Sequence, residues 1–225
     1  MRGKISTAEF GAAGLVFHEI GSLEDPLYDS WLDLYQQSFP VDEQMLISRH
    51  NQAIRAKTGI EHIVAALDRS GVLAAIARYD LIPEAGAAAL WYLAVSPEDR
   101  SKGYGSAFYG EIRRRIQAQS SAVRVVFIEV EDPKAAKPAQ RSRDSERRIA
   151  FYLRNGARLI EGIKYEQSVG WQPPIPMRLM VHQFEPSATS ELMRMARAVF
   201  GDSIAQGRSA RPPREPDPRA LPPFG

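Results

Sequence analysis

Apolar positions in this chain recur at helical spacing, then alternate as in strands, then return to helical spacing. Leu15 to Ile20 reads as a first strand. Asp25-Pro26 then looks like a helix start, and Leu27, Trp31, Leu34 and Tyr35 lie on one face of a helix over Leu27 to Ser38. Phe39-Pro40 breaks it. A second helix is predicted over Glu43 to Lys57, with Met45, Leu46 and Ile54 inward, and Gly59 ends it. Glu61 to Leu67 and Val72 to Tyr79 are strands separated by Asp-Arg-Ser-Gly, a hairpin signal, and Ala87 to Val95 follows the Pro83 to Gly86 turn. Tyr104 to Gln119 is amphipathic, with Phe108, Ile112 and Ile116 on one stripe, and leads into a strand over Val123 to Glu131.

The last third is less regular. Asp132 to Arg143 reads as a loop, and Ser145 as an imperfect N-cap for a helix that stops at Asn155-Gly156. Ala157 to Gly162 and Met177 to Phe184 are expected strands. The loop between them holds Trp171, Pro173, Pro174 and Pro176, and Glu191 to Phe200 is a short final helix. Gly207 to Gly225 contains six prolines and four arginines, the composition of a disordered tail. The pattern predicts an α/β chain of the α+β type.

Composition narrows the class. The 225 residues suit one domain with a real core, and 44% hydrophobic with 25% charged residues is ordinary for a soluble protein. A net charge of +2 gives no global pull towards nucleic acid or membrane, so neither is expected as a partner. Cysteine is absent, which excludes disulfides, thiolate metal sites and an acyl-cysteine intermediate. His18, His50, His62 and His182 have no ligand spacing, so no metal is expected. With no apolar leader before Phe10 and no run near the ~18 apolar residues of a membrane span, the expected location is cytoplasmic.

The chemistry concentrates where the Ala87 to Val95 strand runs through Ser96-Pro97-Glu98-Asp99 into Arg100-Ser101-Lys102-Gly103-Tyr104-Gly105 and a helix. A helix N-terminus presents unpaired N–H groups and partial positive charge, and so holds phosphate. Gly103 and Gly105 allow close backbone approach. A dinucleotide fingerprint is excluded, because no third glycine follows at its spacing. A Walker loop is excluded too, because Lys102 precedes its glycine.

Three stretches resemble the GNAT family of N-acetyltransferases. They are Arg100 to Gly105 as its Gln/Arg-x-x-Gly-x-Gly/Ala loop, the Leu93 to Glu98 strand exit before it, and Arg148 to Ala157, a helix ending in Phe-Tyr and then Gly. The resemblance spans residues 14–184. It implies a GNAT fold with a mixed, mostly antiparallel, splayed sheet of six to seven strands flanked by helices. A single acyl-CoA N-acyltransferase domain is then expected over 1–206. The resemblance further implies acetyl-CoA as co-substrate and transfer to an amine. A small-molecule acceptor and a monomer or homodimer are expected. A protein or peptide N-acetyltransferase and a non-catalytic acyl-CoA-binding module are the alternatives.

By the same resemblance, backbone amides of Arg100, Ser101, Lys102, Gly103, Tyr104, Gly105 and Ser106 take the pyrophosphate. The strand Leu93, Ala94 and Val95 pairs with pantetheine, and an amide near Val95 meets the developing oxyanion. Tyr152 matches the position that protonates the departing thiolate; the other reading is a packed aromatic beside Phe151. Ser145 stands where many relatives have an asparagine that contacts CoA. The acid many relatives carry on the strand entering the loop is missing from Ala87 to Val95. Glu129 is the favoured base, because it alternates with Phe127 and Glu131 along an otherwise apolar strand; an ion pair within the fold is the other reading. The acceptor is expected between Phe39 to Ile47 and the Trp171 to Pro176 loop, with Trp171 either covering it or packing on the surface. The basic Lys134 to Arg148 segment reads as a mobile solvated loop, or else as a lure for an acidic substrate or the CoA 3′-phosphate.

Overall fold

A computed structural model describes residues 12–167, 173–201 and 204–205. Nine strands form one sheet: β1 (Val16–Glu19), β2 (Glu61–Leu67), β3 (Leu73–Ile82), β4 (Ala87–Val95), β5 (Val125–Glu131), β6 (Arg158–Leu159), β7 (Lys164–Gln167), β8 (Ile175–Gln183) and β9 (Ile204–Ala205). The order is β1-β2-β3-β4-β5-β8-β7-β9, with β6 also on β8. Only β4 and β5 run parallel; every other pair is antiparallel. Five α-helices cover the faces: α1 (Tyr28–Ser38), α2 (Ile47–Ala56), α3 (Tyr104–Gln119), α4 (Ala139–Arg154) and α5 (Thr189–Phe200). None of them is long and apolar enough to cross a membrane.

The core divides by face. Phe108, Tyr109, Ile112 and Ile116 of α3, with Tyr152 of α4, pack on Tyr79, Leu90, Val126 and Ile128. Trp31, Leu34 and Tyr35 of α1 join Ile54, Ile63, Ile76 and Tyr92, and Leu192, Met195 and Phe200 of α5 join Phe127, Leu179 and Val181. Trp91 packs against both of the latter groups, so α1, α2 and α5 share one side of the sheet. At about 25 cal/mol per Å² of buried apolar surface, each large side chain here contributes roughly 1.5–3 kcal/mol.

Two features of β4 position the site. In its register with β3, Arg78 faces Tyr92 and Tyr79 faces Leu90, which leaves Trp91 as an extra residue. This β-bulge turns Trp91 and Tyr92 to the same face and adds local twist. The ladder between β4 and β5 runs only from Ala87↔Val125 to Leu90↔Ile128. Beyond the bulge the strands part, and the β5-facing edge of Trp91–Val95 carries no strand pairing. The predicted splay is present.

Several expectations are corrected. Instead of one helix over 43–57, a 3-10 turn at Val41–Glu43 precedes α2. The Tyr92 hydroxyl donates to the Glu43 carbonyl and accepts from the Met45 amide, while Tyr35 donates to the Met45 carbonyl. Those backbone groups are therefore withdrawn from helix bonding. Leu46, expected inside, is 51% exposed, and His50 is buried instead. Helix α4 starts at Ala139, so the larger part of the basic stretch is helix, and Ser145 is a fully buried interior residue instead of a cap. Of Ala157 to Gly162 only Arg158–Leu159 pairs as strand. β7 and β9 were not foreseen, and β3 continues to Ile82 because Asp80 and Leu81 pair with Ala89 and Ala88. Trp171 and the tail 207–225 lie outside the described residues.

Candidate active site

The phosphate-type loop is built as its composition requires. After β4, a 3-10 turn at Pro97–Asp99 leads to Ser101 and Gly103, both at positive φ (66° and 83°), and Gly103 caps α3 without any side-chain hydrogen bond. Ala107 donates to the Gly103 carbonyl, so the amides of Tyr104, Gly105 and Ser106 precede the first intrahelical bond and stand free. A Cβ on Gly103 would meet nothing within 4 Å, which leaves open space over those amides. A Cβ on Gly105 would lie 3.3 Å from Phe151 and 3.5 Å from Val95, so this glycine lets α3, α4 and β4 converge. Lys102 is exposed, and its ammonium pairs with the buried Asp99 at 2.8 Å. Arg100 is exposed. The free strand edge and these amides together suit an extended donor with amides in its arm and phosphates at its end.

Where β4 and β5 part, a narrow cleft opens, lined by Phe39, Glu43, Trp91, Tyr92, Leu93, Glu129, Arg148, Tyr152, Gln167 and Met177. Glu129 and Tyr152, named from sequence, thus share one cavity. They come from β5 and α4, on opposite sides of the opening. A larger hollow, lined by Gly86, Arg124, Arg194 and Met195, lies elsewhere and holds none of the predicted site residues.

The two carboxylates in the cleft differ in their partners. Glu43 is buried, with Oε1 3.1 Å from Arg141 and Oε2 3.1 Å from Arg148. Glu129 has no cationic partner among the described residues; it accepts a hydrogen bond from the Tyr165 hydroxyl of β7. Burial, and then the Glu43 charge, push the Glu129 pKa up to about 8. Burial likewise pushes Tyr152 to about 12, against the pull of Arg148 one turn earlier. The ring of Tyr152 is held edge-on by Tyr109 at 5.4 Å and Phe151 at 5.1 Å. The ring of Tyr152 packs against its neighbours, and the residue also lines the cleft.

Glu131, on the same strand face as Glu129, is engaged by Arg141 at 3.0 Å. The basic segment is no mobile lure. Arg141 and Arg148 are tied to carboxylates, and Arg147 pairs with Asp144 at 2.8 Å. Tyr165, Gln167 and Met177 escaped sequence reasoning, because the strand holding the first two reads as loop. Trp91 and Tyr92 were legible as strand residues; the bulge that aims both at the cleft was not. Among the described residues no group of three or more histidine, aspartate or glutamate side chains is placed to hold a metal.

The acetyltransferase (GNAT) family model matches residues 27–156, more than half of the chain. Solved structures agree in fold. A structure described as a GNAT-family acetyltransferase from Bacteroides thetaiotaomicron superposes with TM-score 0.63 at 24% identity, covering 82% of this chain and 98% of that one. A spermidine N-acetyltransferase chimera of Vibrio cholerae and human sequences gives 0.55 at 12%, covering 79% and 98%. A Bacillus subtilis acetyltransferase in complex with CoA gives 0.50 at 11%, covering 75% and 98%. No curated protein sequence matches the chain.

Proposed function

The chain belongs to the GNAT family and is an acyl-CoA-dependent N-acetyltransferase with acetyl-CoA as co-substrate; from that premise we propose that it acetylates a primary amine of a small molecule directly, in a ternary complex. The observation that carries this is the parting of β4 and β5, which brings a free strand edge, Glu129 and Tyr152 to one cleft. The single sheet supports one catalytic domain over 1–206.

Roles follow from the geometry. Acetyl-CoA supplies an activated thioester. The amides of Tyr104, Gly105 and Ser106, joined by those of Ser101 and Gly103, hold its phosphates. The Arg100 and Lys102 amides, expected to share this role, already donate to the Pro97 and Asp99 carbonyls. Leu93, Ala94 and Val95 pair with its arm. The loop side chains are secondary, since Lys102 is already engaged. The amine enters beside Glu129, because both oxygens of Glu43 are taken by arginines. A carboxylate with a pKa near 8 is a better proton acceptor than an ordinary one. As the C–N bond forms and the C–S bond breaks, the amine proton passes to Glu129 and the Tyr152 hydroxyl donates to the leaving thiolate. Both side chains then re-equilibrate with water as products leave. Holding the two reactants in one narrow cleft supplies much of the acceleration.

A peptide acceptor is the second reading. It is favoured by Val41, 75% exposed, and Leu46, 51% exposed, which flank Glu43 on the turn above the cleft. The test is CoA release from acetyl-CoA across a panel holding spermidine, simple alkylamines, amino acids and short peptides. Glu129→Gln should lose most of the turnover while binding acetyl-CoA normally. Full turnover in that variant would remove Glu129 from the mechanism, and CoA binding without release for any amine would favour a non-catalytic module.

A further inference from the structure

Three carboxylates from two separate elements, the 41–43 turn and the end of β5, converge on one guanidinium, and one of them, Glu43, lines the cleft. Arg141, in the first turn of α4, places Nη1 3.2 and 2.9 Å from the two oxygens of Asp42, and Nη2 3.1 Å from Glu43. Its Nε and Nη2 reach the two oxygens of Glu131, each at 3.0 Å. Asp42 and Glu43 belong to the 3-10 turn at Val41–Glu43, just after the cleft residue Phe39. Glu131 ends β5, two residues beyond Glu129. One side chain thus joins the turn over the cleft, the strand carrying Glu129, and α4 carrying Tyr152.

We propose that Arg141 is a positioning residue that sets the acceptor side of the cleft by clamping the 41–43 turn to the end of β5. This rests on the reading that the amine enters beside Glu129. Without the guanidinium, Asp42, Glu43 and Glu131 face one another as like charges, and Glu131 and Glu43 are both buried. The Glu43 carboxylate then keeps only the 3.1 Å contact with Arg148, and the Tyr92 hydroxyl holds its carbonyl but not its charge. The turn moves away, and Phe39 and Glu43 move with it. Lysine cannot replace the clamp, since a compact ammonium does not present the planar fork that reaches three carboxylates at once. The donor half is untouched: among the described residues, no partner of the Arg141 side chain lies in the 96–106 loop.

The experiment uses the full chain with Arg141→Met and Arg141→Lys, and spermidine as the acceptor probe if it supports turnover, otherwise the fastest amine of the panel. The KM for the amine should rise about tenfold or more in the Met variant, the scale of an ångström-level misplacement. The KM for acetyl-CoA should stay unchanged, and lysine should recover only part of the loss. Unchanged values for both substrates, or equal rises in both, overturn the proposal. Hydrogen exchange without substrate gives a reading independent of turnover: segment 39–47 should exchange faster in the Met variant while 104–116 does not. Unaltered exchange in 39–47 refutes the clamp, even if no amine is ever acetylated; absence of turnover alone refutes the acetyl-transfer reading and not the clamp. Should Arg141→Met fail to fold, Asp42→Ala removes two of the contacts, and the same split at smaller size is required of it.

Discussion

Replacing Glu129 by glutamine should make the protein more stable above neutral pH while making it a poorer enzyme. In the folded chain burial and the Glu43 charge raise the Glu129 pKa from 4.5 to about 8, a separation of about 3.5 pH units. Below pH 4.5 the carboxyl is protonated in both folded and unfolded chains, and it contributes its full stability there. Between 4.5 and 8 the unfolded chain releases the proton and the folded chain keeps it, so stability falls as pH rises. Above 8 both forms are ionised and the deficit is complete. One pH unit corresponds to about 1.4 kcal/mol, so the deficit is about 3 kcal/mol at pH 7 and at most about 5 kcal/mol above pH 8. The Tyr165 hydrogen bond and water reaching the cleft act to reduce it. Glutamine has no such titration. Thermal unfolding of both proteins from pH 4 to 9 should therefore show equal Tm at the acid end and a widening advantage for Glu129→Gln. At about 2–4 °C per kcal/mol the gap near pH 8 reaches about ten degrees. Parallel profiles, or a less stable variant at pH 8, would refute a buried and cation-free Glu129. The sign also makes this a site where function is held at the expense of stability.

Further outcomes follow from the same geometry. Tyr152→Phe keeps the ring packing against Tyr109 and Phe151 but removes the proton donor, so kcat should fall about 10²-fold or more with both KM values nearly unchanged in a CoA-release assay. Gly103→Ala forces a side chain onto φ 83°, costing roughly 1 kcal/mol in Tm measurements and weakening acetyl-CoA binding by calorimetry. Gly105→Val overpacks the junction of Phe151 and Val95 and should cost about 1–3 kcal/mol in denaturant unfolding. Lys102→Ala should leave acetyl-CoA affinity nearly unchanged, because Asp99 already engages the ammonium and backbone amides serve the ligand; a large loss would move the phosphate role to the side chain.

The donor half of the site was legible because it is local. Residues 93–106 are contiguous, and a strand, two glycines and an amphipathic helix in that order specify free amides whatever packs around them. Tyr152 was legible for the same reason, since Phe151-Tyr152 sits a fixed distance from a helix-ending Gly156. Glu129 was found through an energetic argument, a carboxylate in an apolar strand, and the structure gives it the cleft such an argument requires. Errors fell where long-range contacts override local preference. Residues 43–46 have helical periodicity, yet Tyr92 and Tyr35 capture their backbone groups. Lys134 to Arg148 reads as exposed positive charge, yet two of its arginines, Arg141 and Arg148, find acids about a hundred residues away in sequence.

From the sequence alone came the order of elements, the α+β class, the family resemblance and the identity of the donor, because periodicity, turn residues and helix ends act within a few residues of one another. Only the tertiary structure decided where β4 and β5 part, since a one-residue bulge at Trp91 is a matter of register against β3 and leaves no mark on composition. It alone also separated Glu43, held by two arginines, from Glu129, which has none among the described residues, and disclosed Arg141 as the tie between the 41–43 turn and Glu131 at the end of β5. Charge counts along a chain cannot show which charges cancel. That depends on which side chains the fold brings within about 3 Å of each other, and it is what leaves Glu129, and not Glu43, without a cation among the described residues of this cleft.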